Sequence, residues 1–317
     1  MTDATQSSQT WEREIIENVL LAHVKEQRSQ RRWRYFFRFL VLGFILFLVF
    51  ASFFEGKPRP SLKDHVALID IDGVIGENHG VTADEVAIGL RNAFEAERAK
   101  GIIIRINSPG GSPVQSAYIY DEIKRLRALH EDKKVYAVIM DVGASGGYFI
   151  AAAADEIYAN ASSIVGSIGV LMPGLGFVGA AEKLGVEQRS LIAGKNKLFL
   201  DPLSPLNEKQ VQFAQTLLSN AHAHFIKAVK DGRGNRLKQN NDIFSGLFWT
   251  GDQAMKLGLV DALGSAGFVA REVIGVEDVI DYTVSNNLFD KLASRFGAAF
   301  NQEIAMKLGL MGPSKLQ

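Results

Sequence analysis

The chain has no cysteine among its 317 residues. Disulfide frameworks, thiolate nucleophiles and cysteine-based metal sites are therefore excluded, although the compartment is left open. Net charge is also missing: 35 Lys and Arg balance 35 Asp and Glu. A nucleic-acid binder normally carries a basic excess or stripe, so no nucleic-acid partner is expected. Histidine is scarce. The six are His23, His65, His79, His130, His222 and His224, with no His-x-x-x-His or His-Glu-x-x-His spacing. A zinc hydrolase has no support, and no motif for a metal, a nucleotide or another cofactor occurs.

One long apolar run is present. Tyr35 to Phe54 is nearly all apolar, with only Arg38 charged, near one end. Residues 36–54 as a helix would span roughly 28 Å at ~1.5 Å per residue, close to the hydrocarbon thickness of a bilayer, and Arg38 can snorkel to the headgroups. Lys25, Arg28, Arg31, Arg32 and Arg34 precede it, against Lys57, Arg59 and Lys63 after it. That bias places the N-terminus in the cytoplasm and the rest of the chain outside it. No small-x-small cleavage site follows the run, so a single-pass anchor is expected rather than a cleaved leader. The expected organisation is a cytoplasmic tail (1–34), a transmembrane anchor (35–54), a linker with Pro58 and Pro60 (55–64), an extracytoplasmic domain (65–285) and a C-terminal tail (286–317). In the tail, Leu288, Leu292, Phe296, Phe300, Ile304 and Leu308 recur every four residues. The spacing predicts an amphipathic helix that packs on the domain, a neighbour or the membrane surface.

Within the domain, strands are expected at His65–Asp72, at the β-branched run Gly101–Ile106, and at Lys134–Met140, Asp155–Ala159 and Val186–Ala193. Helices are expected over Ala83–Ala99 and Ser116–His130, and over Leu206–Val229, ending before Asp231-Gly232. The alternation predicts an α/β domain with a mainly parallel sheet covered by helices.

Ser145 is the focus of the chemistry. It lies in Val142-Gly143-Ala144-Ser145-Gly146-Gly147, between an apolar strand and a helix start at Tyr148. Strand, tight glycine turn and helix together expose a nucleophilic hydroxyl. Such a hydroxyl needs a base. Lysine serves only if neutral: at an ordinary pKa near 10.4 about 0.04% is neutral at pH 7, and a shift to ~8 leaves about 10%. Lys195 and Lys197 share a face of an extended segment flanked by apolar residues, and the pattern alone does not choose between them. Acyl transfer also needs donors for the developing oxyanion. A second glycine nest, Asn107-Ser108-Pro109-Gly110-Gly111, can supply N–H groups, and the N–H of Gly146 adjoins the nucleophile.

Ile106 to Gly111, Gly143 to Tyr148, Gly166-Ser167-Ile168-Gly169-Val170, and Gly194 to Lys197 occur in an order and spacing that resembles the SppA family. These are bacterial signal peptide peptidases, here of the short, single-repeat type. Trp249-Thr250-Gly251 through Gly258-Leu259-Val260-Asp261 looks like the family's closing segment. The resemblance covers residues 65–275. It implies a ClpP/crotonase-like fold of repeated β-β-α units, with Ser145 as nucleophile, Lys197 rather than Lys195 as base, and Ser167 orienting the lysine. It further implies an oxyanion region at Gly110, Gly111 and Gly146, and Asn107 holding that loop. It also implies a homo-oligomer, an octameric ring with active sites between protomers, at the bacterial inner membrane with the catalytic domain periplasmic. The substrates it implies are apolar peptides, remnant signal peptides among them, met at membrane lipid. Two other readings stand beside it. A Ser-His-Asp esterase could use Asp201 and His222 or His224, although both histidines fall in a predicted helix. A non-catalytic membrane scaffold would need none of Ser145, Ser167 and Lys197.

Overall fold

The protein is described here by a computed structural model, which describes residues 32–47, 62–76 and 80–284. The chain divides into two compact units, Met1–Lys57 and Pro58–Gln317. In the first, residues 32–47 form helix α1. Among the described residues no helix is long and apolar enough to cross a membrane. Residues 48–54 of the expected anchor, most of the linker and all of the C-terminal tail lie outside the described residues.

The second unit opens with β1 (His65–Asp72), α2 (Ala83–Glu95), β2 (Ala99–Ser108), α3 (Pro113–Leu129) and β3 (Val135–Ala144). Each start has a local cause. Thr82 accepts the Glu85 N–H at 3.3 Å while the Glu85 carboxylate accepts the Thr82 N–H at 3.3 Å, a reciprocal cap for α2. Ser112 caps α3 through the Gln115 N–H at 3.3 Å, with Pro113 in the first turn. After β3 come α4 (Gly146–Ala151), β4 (Glu156–Ala159), β5 (Ile164–Gly166), α5 (Val178–Lys183) and the long α6 (Glu208–Arg233). The unit closes with β6 (Phe248–Thr250), α7 (Gly251–Lys256), β7 (Ala262–Leu263), α8 (Ala266–Phe268), which runs into a π-helical turn at Val269–Ile274, and β8 (Val279–Asp281).

The eight strands form one sheet, ordered β6-β5-β3-β2-β1-β8, with β4 bridging β3 and β7. Every pairing is parallel except β5 with β6. Ile69, Ile71, Ile102, Ile104, Ile106, Val135, Ala137 and Ile139 pack one face against a core shared with Leu90 and Phe94 of α2, Ile119 and Ile123 of α3, and Phe149 of α4. Each such aliphatic side chain contributes roughly 1.5–3 kcal/mol. Val66, Leu68, Ile103 and Val138 line the other face under Val269 and Ala270. The α/β class with a mainly parallel sheet is as expected from the alternation.

Three expectations are corrected. Val186–Ala193 is not a strand: those residues are irregular and mostly exposed. Its apolar content satisfies a strand pattern, but a strand exists only through a ladder, and no sheet edge pairs with it. The helix over Ala83–Ala99 ends at Glu95, because Ala99 already belongs to β2. Finally, α6 runs through Asp231-Gly232 to Arg233. Gly232 is no terminator; a Cβ there would fall 1.9 Å from the Ala152 carbonyl oxygen, so glycine is what lets α6 lie against the end of α4.

Candidate active site

The site is built where β3 changes partners. Tyr136–Ile139 pair with β4, whereas Val142–Ala144 pair with β5. Against β2 the register jumps from Ile106↔Ile139 to Ser108↔Gly143, so β3 bulges between them. Side chains fill the broken ladder. Asn107 Oδ1 accepts the Val142 N–H at 3.3 Å, and its Nδ2 donates to Asp72 Oδ1 at 3.2 Å. The Ser163 hydroxyl donates to the Met140 carbonyl. The bulge turns the end of β3 toward the Asn107–Gly111 loop, and Asn107 ties the two together.

Ser145 follows immediately, at φ +51° and ψ −121°. This is a costly backbone conformation for a residue with a Cβ. It is fixed from both sides: the Ser145 N–H donates to the Gly166 carbonyl at 2.8 Å, and the Ser145 carbonyl accepts the Phe149 N–H at 2.9 Å. The Ser145 hydroxyl does not cap α4. Tyr148, one turn along, is fully buried and donates its hydroxyl to the Leu259 carbonyl at 2.7 Å. Burial pushes its phenol well above the usual tyrosine range, so it stays a neutral anchor.

The two glycine nests interlock. A Cβ on Gly110 would lie 2.6 Å from Ser145 Cβ and 2.7 Å from Gly146 N, and one on Gly146 would lie 2.4 Å from Ser116 Oγ and 3.3 Å from Gly111 N. Gly110 has φ +102°. Its N–H is taken by Ser108 Oγ at 3.1 Å, and its carbonyl accepts the Ile75 N–H at 3.0 Å. Gly110 therefore shapes the loop, while Gly111 and Gly146 line the cleft beside Ser145.

That cleft holds about 460 Å³. Ser145, Ser167, Gly111 and Gly146 meet in it, with Phe149, Val170, Leu171 and Phe225 as apolar walls. The Phe149 and Phe225 rings stack at 4.8 Å. Ser167 sits at φ +51°, and its N–H donates to the Leu247 carbonyl at 2.7 Å. Of residues 171–178, only Leu171 lines the cleft. Phe225, Ser245 and Gly246 also line it. Sequence reading missed them; the Ser-Gly pair carried a turn signal, while Phe225 carried none.

Lys197 and Lys195 are not among the cleft residues; both are exposed, in the segment between β5 and α6, which holds only the short α5. Apolar residues are exposed in the same stretch, among them Leu175, Leu184 and Leu191. Asp201 Oδ2 is buried there without a hydrogen-bond partner. Among the described residues no histidine lines the cleft with Ser145. His222 places Nε2 3.0 Å from the Ile168 carbonyl oxygen, and His224 is exposed. Among the described residues no cluster could hold a metal ion.

A family model described as Peptidase family S49 matches residues 127–273. The chain is 48% identical over 186 residues to a Na(+)/H(+) antiporter NhaA of Brucella melitensis, a match covering 59% of this chain and 25% of that protein. It is 33% identical over 175 residues to a putative signal peptide peptidase SppA of Enterococcus faecium, covering 55% of this chain and 50% of that one. It is 32% identical over 207 residues to a putative protease of Synechocystis, covering 65% of this chain and 72% of that one. The chain thus spans between a quarter and a half of the first relatives it matches, and about seven-tenths of the Synechocystis protein.

Proposed function

The chain belongs to peptidase family S49, and from that membership we propose that it is a membrane-anchored serine endopeptidase that degrades remnant signal peptides and other apolar peptides. In this reading Ser145 is the nucleophile, Lys197 the general base and Ser167 the residue that orients the lysine. The observation that carries it is Ser145 itself, held at φ +51° against Gly110 and opening into an apolar cleft beside Gly111 and Gly146.

The chemistry follows. A neutral lysine amine takes the Ser145 proton as Oγ attacks the peptide carbonyl. The carbonyl oxygen becomes an oxyanion, and the N–H groups of Gly111 and Gly146 stabilise it. Collapse breaks the C–N bond, and the lysine ammonium returns its proton to the leaving amine. Water, deprotonated by the same lysine, then releases the acid and regenerates Ser145. Phe149, Phe225, Val170 and Leu171 favour apolar side chains in the substrate.

Lys197 must be dry to be neutral, yet it is exposed here. A second copy of the chain is the proposed solution. The stretch that carries Lys197 presents exposed leucines and a buried, unpartnered Asp201 oxygen, features that suit an interface. The assembly is proposed to be an octameric ring of ClpP/crotonase-like units with active sites between protomers. It would be anchored by residues 35–54 in the bacterial inner membrane, with the catalytic domain periplasmic.

The test is a pH–rate profile on a quenched apolar peptide in detergent, for the wild type, Ser145→Ala, Lys197→Ala and Lys195→Ala. The expected result is activity lost at 145 and 197, kept at 195, and a basic limb in the wild type. Unchanged activity in Lys197→Ala would overturn the dyad, and no activity in the assembled wild type would favour a scaffold.

A further inference from the structure

We propose that His222 is a positioning residue for this site, acting through the backbone of the Gly166–Ile168 turn; the inference rests on the peptidase reading above. The observation is the contact between a ring nitrogen of α6 and the residue next to Ser167. His222 Nε2 lies 3.0 Å from the Ile168 carbonyl oxygen. A carbonyl only accepts, so Nε2 carries the proton and donates it. The donated N–H leaves Nε2 no lone pair with which to act as a base toward Ser145.

The turn it holds needs holding. Gly166 has φ +112°, and Ser167, with a Cβ, has φ +51°. A residue in that region relaxes unless its surroundings fix it. Three hydrogen bonds do so from three elements. The Gly166 carbonyl accepts the Ser145 N–H at 2.8 Å, and the Ser167 N–H donates to the Leu247 carbonyl at 2.7 Å. The Ile168 carbonyl accepts from His222, and the Ile168 side chain is fully buried. The first of these bonds also fixes the nucleophile, so a shift of the turn moves Ser145 and Ser167 together. Phe225 lies three residues along α6, on the same face, and stacks on Phe149 of α4. One helix face thus braces both walls of the cleft, one by packing and one by a hydrogen bond.

The inference is tested with the full chain in detergent. His222→Ala removes the donor, while His222→Gln offers an amide N–H at about the same reach. His222→Ala is expected to lower kcat about tenfold or more, with KM within about twofold, since small displacements of positioned groups act on the chemical step. His222→Gln is expected to restore most of kcat. A kcat within twofold of wild type for His222→Ala overturns the proposal. So does an equal loss in the Ala and Gln variants, because the donated hydrogen bond would then not be what matters. Failure of the peptidase reading shows separately, as activity that survives Ser145→Ala.

Discussion

Gly110 is the position at which one methyl group should most clearly separate folding from catalysis. Its φ of +102° already disfavours an L side chain, at a cost of about 1–2 kcal/mol. A Cβ would also sit 2.6 Å from Ser145 Cβ and 2.7 Å from Gly146 N, where ordinary contact begins at 3.4 Å. The two glycine nests must therefore separate by 0.8 Å (3.4 − 2.6). Overpacking of that kind costs roughly 1–3 kcal/mol, so Gly110→Ala should lose about 3 kcal/mol in all and melt about 6–12 °C lower. The domain should still be folded at 25 °C, because that loss is less than the usual stability of about 5–15 kcal/mol. Catalysis should suffer more, since a displacement near 1 Å between nucleophile and oxyanion donor is worth about a hundredfold in rate. The assays are kcat on a quenched apolar peptide and melting by circular dichroism. Gly174→Ala is the control, because a Cβ there meets nothing within 4 Å. A Gly110→Ala protein with kcat within threefold of wild type and an unchanged melting temperature would refute the packing argument.

Glu122 on α3 accepts hydrogen bonds from Arg125 and from Arg91 of α2, and these pull its carboxyl down to about 2 against the opposing effect of burial. A depressed carboxylate stabilises above its unfolded pKa and loses that contribution as pH falls toward 2. Glu122→Gln should therefore cost about 1–2 kcal/mol at pH 7, discounted because both arginines are half exposed, and the gap should close in acid; a gap independent of pH in denaturant titrations contradicts this. Arg233 is 1% exposed and holds Asp261 at 2.7 and 2.8 Å. Burial alone would raise the Asp261 carboxyl, but Arg233, the Ile157 N–H and Arg236 together keep it below the usual range. Arg233→Ala should cost about 3 kcal/mol by removing the buried partner of that carboxylate, which would keep only the Ile157 N–H at 2.7 Å and the half-exposed Arg236 at 3.3 Å, and a loss below 1 kcal/mol in chemical unfolding would show the pair to be dispensable. Mixing Ser145→Ala with Lys197→Ala protein after dissociation and reassembly should recover activity if serine and lysine come from different protomers; mixtures as inactive as their parts would place both in one chain.

The strands that carry the site were legible because their burial is two-sided. Ile102 to Ile104 and Val135 to Ile139 are apolar at consecutive positions, as a parallel sheet between helices requires. The bulge in β3 was not legible, since the hydrogen bonds that replace its ladder come from Asn107 and from Ser163, each held on another element. Val186–Ala193 shows the opposite failure, a strand pattern without a partner. Gly232 was misread for a third reason: a glycine that ends a helix and one that lets two helices touch look the same in sequence, and only the Ala152 carbonyl beside it tells them apart. Ser145 and its glycines formed a local signal. Phe225 reaches the cleft, and His222 the Ile168 carbonyl, from a distant helix without a pattern that marks either for the site, and the turn signal of Ser245-Gly246 does not say what the turn faces.

These differences explain how the site divides its work. The groups that need angular precision, Ser145 with Gly111 and Gly146, sit on backbone pinned by the sheet, by interlocked glycines and by hydrogen bonds of 2.7–3.0 Å around Gly166, Ser167 and Ile168. The proposed base needs something else. A lysine becomes useful only where water is excluded, and its pKa follows desolvation more than backbone geometry. Placing it on an exposed stretch outside the sheet makes its activation depend on what covers that stretch. An isolated protomer would then hold a preformed nucleophile and a proposed base still open to solvent. Proteolytic power would appear only on assembly, which restrains a peptidase that could otherwise attack any apolar segment within reach.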